Sequence, residues 1–261
     1  MLRTLSTRLR LRFSLRAALV ITGLLCALLA WRANGARAQR EAVMALRRLR
    51  ADVLYDFQLA KGITSYDAEP GTPPWLRATL GDDYFSHVVE ILLSRTPDAD
   101  DELRHVAALG EVRKLFLWDC QVTDRGLGHL QSLARLEHLD LDGTGVGDGG
   151  LPALAALTRL KILNLNETRV TDSGLDWLAA LPRLETLMLE RTALTDAGLA
   201  KLARVTSLRE LYLNDTCITD EGLLHIGSLR GLRYVDVQRT QVTPDGIRRL
   251  EGAQPQACIA W

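Results

Sequence analysis

The side chains best suited to chemistry in this sequence are His138, Asp140, Asp142 and Glu190. The spacing His-x-Asp-x-Asp puts three of them on one face of an extended strand, because strand side chains repeat every second residue. An imidazole beside paired carboxylates can act as general acid and base, and such carboxylates can hold a divalent cation. No G-x-S-x-G, H-E-x-x-H or phosphate-binding loop accompanies them, so a hydrolase using these carboxylates is the weakest of three functional readings. His105, His129 and His225 are separated by multiples of 24 residues and fit a solvated outer face. Cys26, Cys120, Cys217 and Cys258 include no C-x-x-C pair and no zinc-ligand spacing. They read as small buried or half-buried residues, so no catalytic residue, metal or cofactor is expected.

What positions these groups is a repeat. Units of 24 residues begin at Leu109, Leu133, Leu157, Leu181, Val205 and Leu229 without an insertion. A fixed period of this length signals a solenoid, in which each turn packs only on its neighbours. Positions 7 and 9 of each unit, from Leu115 and Leu117 to Val235 and Val237, alternate with other residues, which predicts a short strand with one buried face. Positions 1, 4, 14, 19 and 22 complete a leucine-rich interior. Thr144, Thr168, Thr192, Thr216 and Thr240 occupy position 12 and are expected to bond the turn backbone from inside. The next residues, Val-Thr-Asp-x-Gly-Leu, place Thr123, Thr171, Thr195, Thr219 and Thr243 as N-caps of a helix of about two turns. Pro244 follows the last of these threonines, where proline suits the first helical position. The glycine at position 18 is expected to let helix and sheet approach closely.

The sixfold text L-x-x-L-x-L-x-x-T-x-V-T-D-x-G-L-x-x-L resembles the leucine-rich-repeat superfamily, and in detail short bacterial members with an amino-terminal membrane anchor. The resemblance covers residues 85–261. It implies an α/β fold: a right-handed arc of strands and helices with a parallel sheet on its concave face. It also implies a non-catalytic scaffold for protein interaction. The chain departs from the best-known eukaryotic members in lacking cysteine-rich caps and an F-box.

On such an arc, positions 6, 8 and 10 of each unit line the concave face. The partner-binding candidates are Phe116, Trp118, His138, Asp140, Asp142, Asn164, Asn166, Met188, Glu190, Tyr212, Asn214, Tyr234, Asp236 and Gln238. Lys114, Ile162, Thr186 and Glu210 share the same positions. Phe116, Trp118, Met188, Tyr212 and Tyr234 have the composition of interface anchors set among hydrogen-bonding groups. Ordinary cross-strand ladder pairing is the competing explanation of the same residues.

Residues 1–16, MLRTLSTRLRLRFSLR, carry five arginines and no acid, and residues 17–31, AALVITGLLCALLAW, carry no charge. As a helix the second run spans about 22 Å, and about 28 Å if it starts at Phe13, against a hydrocarbon core of about 30 Å. A transmembrane anchor over 17–31, or 13–31, is one reading. A cleaved signal peptide ending near Ala36-Arg37-Ala38 is a second, and a buried helix of a soluble chain is a third. Arginines flank the run on both sides, so the charge rule does not orient it. Residues 32–84 read as a juxtamembrane helix over 36–50 and an amino-terminal cap. In that cap Asp52–Leu59 is a strand with Val53, Tyr55 and Phe57 on one side, 61–74 is a loop, and Trp75 opens a short helix. Tyr55, Phe57, Trp75, Tyr84 and Phe85 are expected to pack there. Residues 85–252 hold the repeats, with a degenerate unit at 85–108 before the six full ones. Residues 253–261 are an edge strand whose Ile259 keeps phase and whose Trp261 closes the core.

These readings converge on a single-pass, membrane-anchored scaffold that binds a protein or peptide partner. The alternative is an architectural envelope protein acting by self-association. Thirty-two basic residues balance 32 acidic ones, so no global field draws nucleic acid.

Overall fold

The computed structural model describes residues 15–62 and 68–261. Residues 1–14 of the basic segment 1–16, Phe13 included, and residues 63–67 of the loop lie outside the described residues. The chain opens with one continuous helix, α1 (Leu15–Arg48), of 34 residues, about 51 Å long. The sequence predicts a separate juxtamembrane helix over 36–50, but nothing breaks the helix between Trp31 and Ala36. Asn34 and Gly35 are poor helix formers, yet they stand isolated among alanines and arginines, and Arg37 pairs with Glu41 one turn on. The two halves of α1 have different surroundings. Leu19, Leu24, Leu28 and Trp31 are exposed, whereas Ala36, Ala42, Val43 and Leu46 are buried. The second group recurs at helical spacing, which gives α1 one face to press on the solenoid end.

Strand β1 (Asp52–Tyr55) pairs antiparallel with β2 (Val88–Ser94). It does not continue to Leu59. The Gln58 side chain accepts the Tyr55 N–H at 3.0 Å and Asp56 accepts the Phe57 N–H at 2.9 Å, and these local bonds turn the chain into a 3-10 helix, Asp56–Gly62. Helix α2 (Pro74–Leu80) starts with proline at its first turn. Trp75, expected to pack in the cap, is instead 70% exposed, because the seven-residue helix buries none of its side chains. Tyr55 and Phe57 stack at 5.7 Å, and the Tyr55 hydroxyl donates to Asp83 at 2.9 Å.

One nine-stranded sheet follows the chain in order from β1 to β9. After the first antiparallel pair every neighbour is parallel, through β3 (Lys114–Trp118), β4 (His138–Asp140), β5 (Ile162–Asn164), β6 (Thr186–Met188), β7 (Glu210–Tyr212), β8 (Tyr234–Asp236) and β9 (Cys258–Ala260). Leu115, Leu139, Leu163, Leu187, Leu211, Val235 and Ile259 stand opposite one another across successive strands. That register carries a dry leucine spine; Leu139, Leu163, Leu187 and Leu211 are all fully buried. The threonines at position 12 close the turn above it. The hydroxyls of Thr144, Thr168, Thr192, Thr216 and Thr240 donate to the carbonyl three residues back at 2.6–2.7 Å.

The outer side holds α3 (Ala99–Ala107), α4 (Asp124–Leu127), α5 (Asp196–Leu202), α6 (Asp220–Ile226) and α7 (Pro244–Ala253). The chain winds as a 3-10 helix over Gly128–Ser132, Leu151–Ala156 and Asp172–Ala180, so a two-turn α-helix in every unit does not hold. In unit 133–156 the reason is local. Gly147 replaces the capping threonine and Gly149-Gly150 follow, which removes both cap and propensity.

At the far end Ile259 packs against the core while Trp261 is 61% exposed, so Trp261 does not close it. Helix α7 covers that end instead, through Ile247 and Leu250. Of the cysteines only Cys120 is buried; Cys26, Cys217 and Cys258 are exposed free thiols. Cys217 sits at position 13, on the outer side of the turn, one residue past the buried Thr216.

Candidate interaction surface

The concave face is built by positions 6, 8 and 10, whose side chains point away from the leucine spine. They do not lie at one depth. Asp140, Asn164 and Asp236 at position 8 are buried, each 8% exposed. Position 10 is more open, with Asp142, Asn166, Glu190 and Asn214 half-buried and Gln238 exposed.

Two apolar groups stand on this face. In the first, Phe116 lies 5.1 Å from Trp118 and 4.6 Å from His138, ring centre to ring centre. In the second, Tyr212 lies 5.2 Å from Tyr234 and stands opposite Met188 in the ladder. All six side chains are half-buried against each other, less open than isolated anchors would be. Phe116 and Tyr212 are four strand spacings apart, roughly 19 Å, and the nearest members, His138 and Met188, are two spacings apart.

At position 10, on the strand-end side of the second group, runs a polar strip that bonds to itself. Asn166 donates to one Glu190 carboxylate oxygen at 3.0 Å and Asn214 donates to the other at 2.7 Å. The Glu190 N–H donates to Asn166 at 2.8 Å, and Gln238 N–H donates to Asn214 at 3.0 Å. Asp140 and Asn164 each accept the backbone N–H two residues on, at 3.0 and 2.9 Å. Ladder pairing and surface exposure therefore coexist in the same residues.

The electrostatics follow from crowding. Burial, then the neighbouring Asp140, pushes the Asp142 carboxyl above the usual range. Burial pushes the His138 imidazole below its usual value, against the pull of Asp140. Burial and then Glu210 raise the Tyr212 hydroxyl. The His138, Asp140, Asp142 and Glu190 group does not gather. Glu190 is held by two asparagines, Asp140 by the Asp142 backbone, and His138 by the Phe116 ring. No group of three His, Cys, Asp or Glu side chains able to hold a metal occurs among the described residues.

The rims of the arc carry opposite charge, a feature absent from the sequence-based expectations. Positions 10–16 of the six full units, at the carboxyl ends of the strands, hold ten acidic and three basic residues. Positions 2–5, at the amino ends, hold eight basic and three acidic residues. On the acidic rim, position 11 takes a left-handed backbone in each unit, with φ between 52° and 66°. Glu167, Arg191, Asp215 and Arg239 form a run of ion pairs there. Their alternating sign at 24-residue spacing was the readable signal.

A family model described as Leucine Rich repeat matches residues 135–155 and 206–227. The matched residues fall within the 24-residue units, which are leucine-rich repeats by that model. No curated protein matches its sequence. Among solved structures, an internalin (inlF) from Listeria monocytogenes str. 4b F2365 is 21% identical, with a TM-score of 0.46, over 60% of this chain and 49% of that one. This chain thus spans about half the length of that internalin. An internalin C2 (inlC2) from the same organism is also 21% identical, with a TM-score of 0.46, over 66% of this chain and 81% of that one.

Proposed function

We propose that this chain is a membrane-anchored leucine-rich-repeat scaffold that binds a protein or peptide partner through its concave face. The observation that carries the reading is the pair of apolar groups, Phe116/Trp118/His138 and Met188/Tyr212/Tyr234, whose central rings Phe116 and Tyr212 stand about 19 Å apart along the face, with a polar strip flanking the second group. Aromatic anchors framed by hydrogen-bonding groups are the usual composition of a recognition surface. Half-burial of the rings limits the entropy they lose on binding, so preorganisation favours affinity. The anchor reading is supported by α1, the one helix among the described residues that is long and apolar enough to cross a membrane.

Replacing Trp118, Tyr212 and Tyr234 together by Ala tests the face. Cross-linking in intact cells followed by capture should lose the wild-type partner bands while thermal unfolding stays nearly unchanged. Unaltered capture would reject the concave face, and self-association of the triple variant and wild type alike would favour the architectural alternative. Extraction with alkaline carbonate tests the anchor, since a spanning chain stays in the pellet.

A further inference from the structure

We propose that the basic rim, at the amino-terminal ends of the repeat strands, is a docking surface for an anionic lipid bilayer. This rests on the reading of α1 as a membrane anchor and adds a second, charge-driven contact to it.

The first support is the chemistry of the rim. Arg135, Lys161 and Arg209 are neutralised by Glu111, Glu137 and Glu185. That leaves Arg113, Arg159, Arg183, Arg230 and Arg233 exposed and without an ion-pair partner among the described residues. Every acid at these positions is already paired, so the rim has an uncompensated row of guanidinium groups. From Arg113 to Arg233 the row spans five strand spacings, about 24 Å. The opposite rim is acidic, so the charges are segregated across the arc and not scattered over it.

The second support is where α1 leaves the solenoid. Trp31, Arg32, Asn34 and Gly35 share a groove of about 410 Å³ with His87 and Ala108–Glu111, all at the strand-start side. The Arg32 guanidinium donates to the Tyr84 carbonyl at 3.2 Å on that side. The other end of α1 reaches the opposite rim, where Arg48–Arg50 line a groove with Ser94–Pro97. The exposed apolar stretch from Leu19 to Trp31 therefore projects past the basic rim, not the acidic one. Because α1 is unbroken from that stretch into the cap, no flexible linker lets the arc turn its other rim toward the bilayer. Guanidinium groups held beside an anionic surface are attracted within a Debye length, about 8 Å at physiological ionic strength. Continuity with the span is what selects lipid over an acidic protein as the occupant.

The test uses the full chain in nanodiscs of phosphatidylcholine alone or with phosphatidylglycerol added. Arginines are modified with phenylglyoxal and each site is followed by peptide mass spectrometry. In anionic discs Arg159, Arg183 and Arg230 should react several-fold more slowly than in neutral discs, while exposed Arg169 on the opposite rim is unchanged. High salt should remove the protection. The triple reversal R159E/R183E/R230E should bring Arg113 and Arg233 back to their rates in neutral discs. Equal rates in both discs, or equal protection in both, would overturn the proposal. A chain that elutes free of the discs would overturn the anchor reading and this one with it, an outcome visible before any modification is measured.

Discussion

The carboxylate of Asp148 accepts two hydrogen bonds from Thr171 of the next unit, one from the backbone N–H at 2.8 Å and one from the hydroxyl at 2.6 Å. The same clamp joins Thr123 to Asp100, Thr195 to Asp172, Thr219 to Asp196 and Thr243 to Asp220. Each threonine oxygen also accepts an N–H two residues on, at 3.2 Å for Ser173. Val-Thr-Asp is thus an inter-unit fastener as well as a helix cap, and in a solenoid such neighbour terms govern cooperativity. Asp148→Ala should cost about 1–2 kcal/mol. A double-mutant cycle with Thr171→Val, read by urea unfolding, should return a coupling of about 1 kcal/mol; a coupling near zero would dismiss the clamp.

One unit lacks the hydroxyl. Gly147 stands where the others have threonine, and only its N–H reaches Asp124, at 2.7 Å. A Cβ there would meet nothing closer than 3.7 Å, so the position has room. Gly147→Thr should raise stability by about 0.5–1.5 kcal/mol, by restoring the cap and removing glycine freedom from the unfolded chain. A lower urea midpoint for this variant would contradict the account.

The same carboxylates explain the glycine at position 18. A Cβ on Gly174 would lie 2.5 Å from Asp148 Oδ1 and 2.7 Å from Leu151 Cδ1. The close approach is therefore to the previous unit's fastener and core, not to the sheet as the sequence suggested. Gly174→Ala should cost about 1–3 kcal/mol through overpacking, whereas Gly110→Ala, with open space around it, should be nearly neutral. Equal effects of the two in thermal unfolding would remove the steric reason.

What could be read beforehand divides along physical lines. The register of Leu139, Leu163, Leu187 and Leu211 was legible because two periods, 2 and 24 residues, converge on it. Thr144 and its equivalents were legible because a buried hydroxyl must find an acceptor. The Asp148–Thr171 bond was not, since a period says that units stack but not which positions meet. Trp75 and Trp261 show that apolar type does not fix the side of burial. In the candidate surface, alternation assigned Asp140, Asn164 and Asp236 to the concave face but could not give their depth. The charge split between rims was present in the residues and became meaningful only once α1 was placed.

Acid should loosen the last clamp in a defined way. Hydrogen bonds from the Thr243 hydroxyl, then its N–H, hold the Asp220 carboxyl below the usual range. A depressed folded value means the contribution is fully present above the unfolded carboxylate value, about 3.9, and is lost as pH falls through the folded one. Wild type should therefore lose stability relative to Asp220→Asn as pH drops from about 5 toward 3. Parallel pH profiles for the two would break the link.

Leu46 is fully buried where α1 meets the solenoid end, beside Ala42 and Val43. Leu46→Ala removes the largest side chain of that contact and should cost about 2–5 kcal/mol. Because each unit contacts only its neighbours, the damage should be local. Amide exchange should speed up most in β1, β2 and β3, less in β5, and least in β8, with α1 losing protection between Ala42 and Arg48. A uniform loss across all strands would mean that the arc unfolds as one block and that α1 guards no particular end. The gradient, if found, makes α1 the element whose detachment starts unfolding, so membrane insertion of its apolar half and stability of the first units should rise together when the chain is placed in a bilayer.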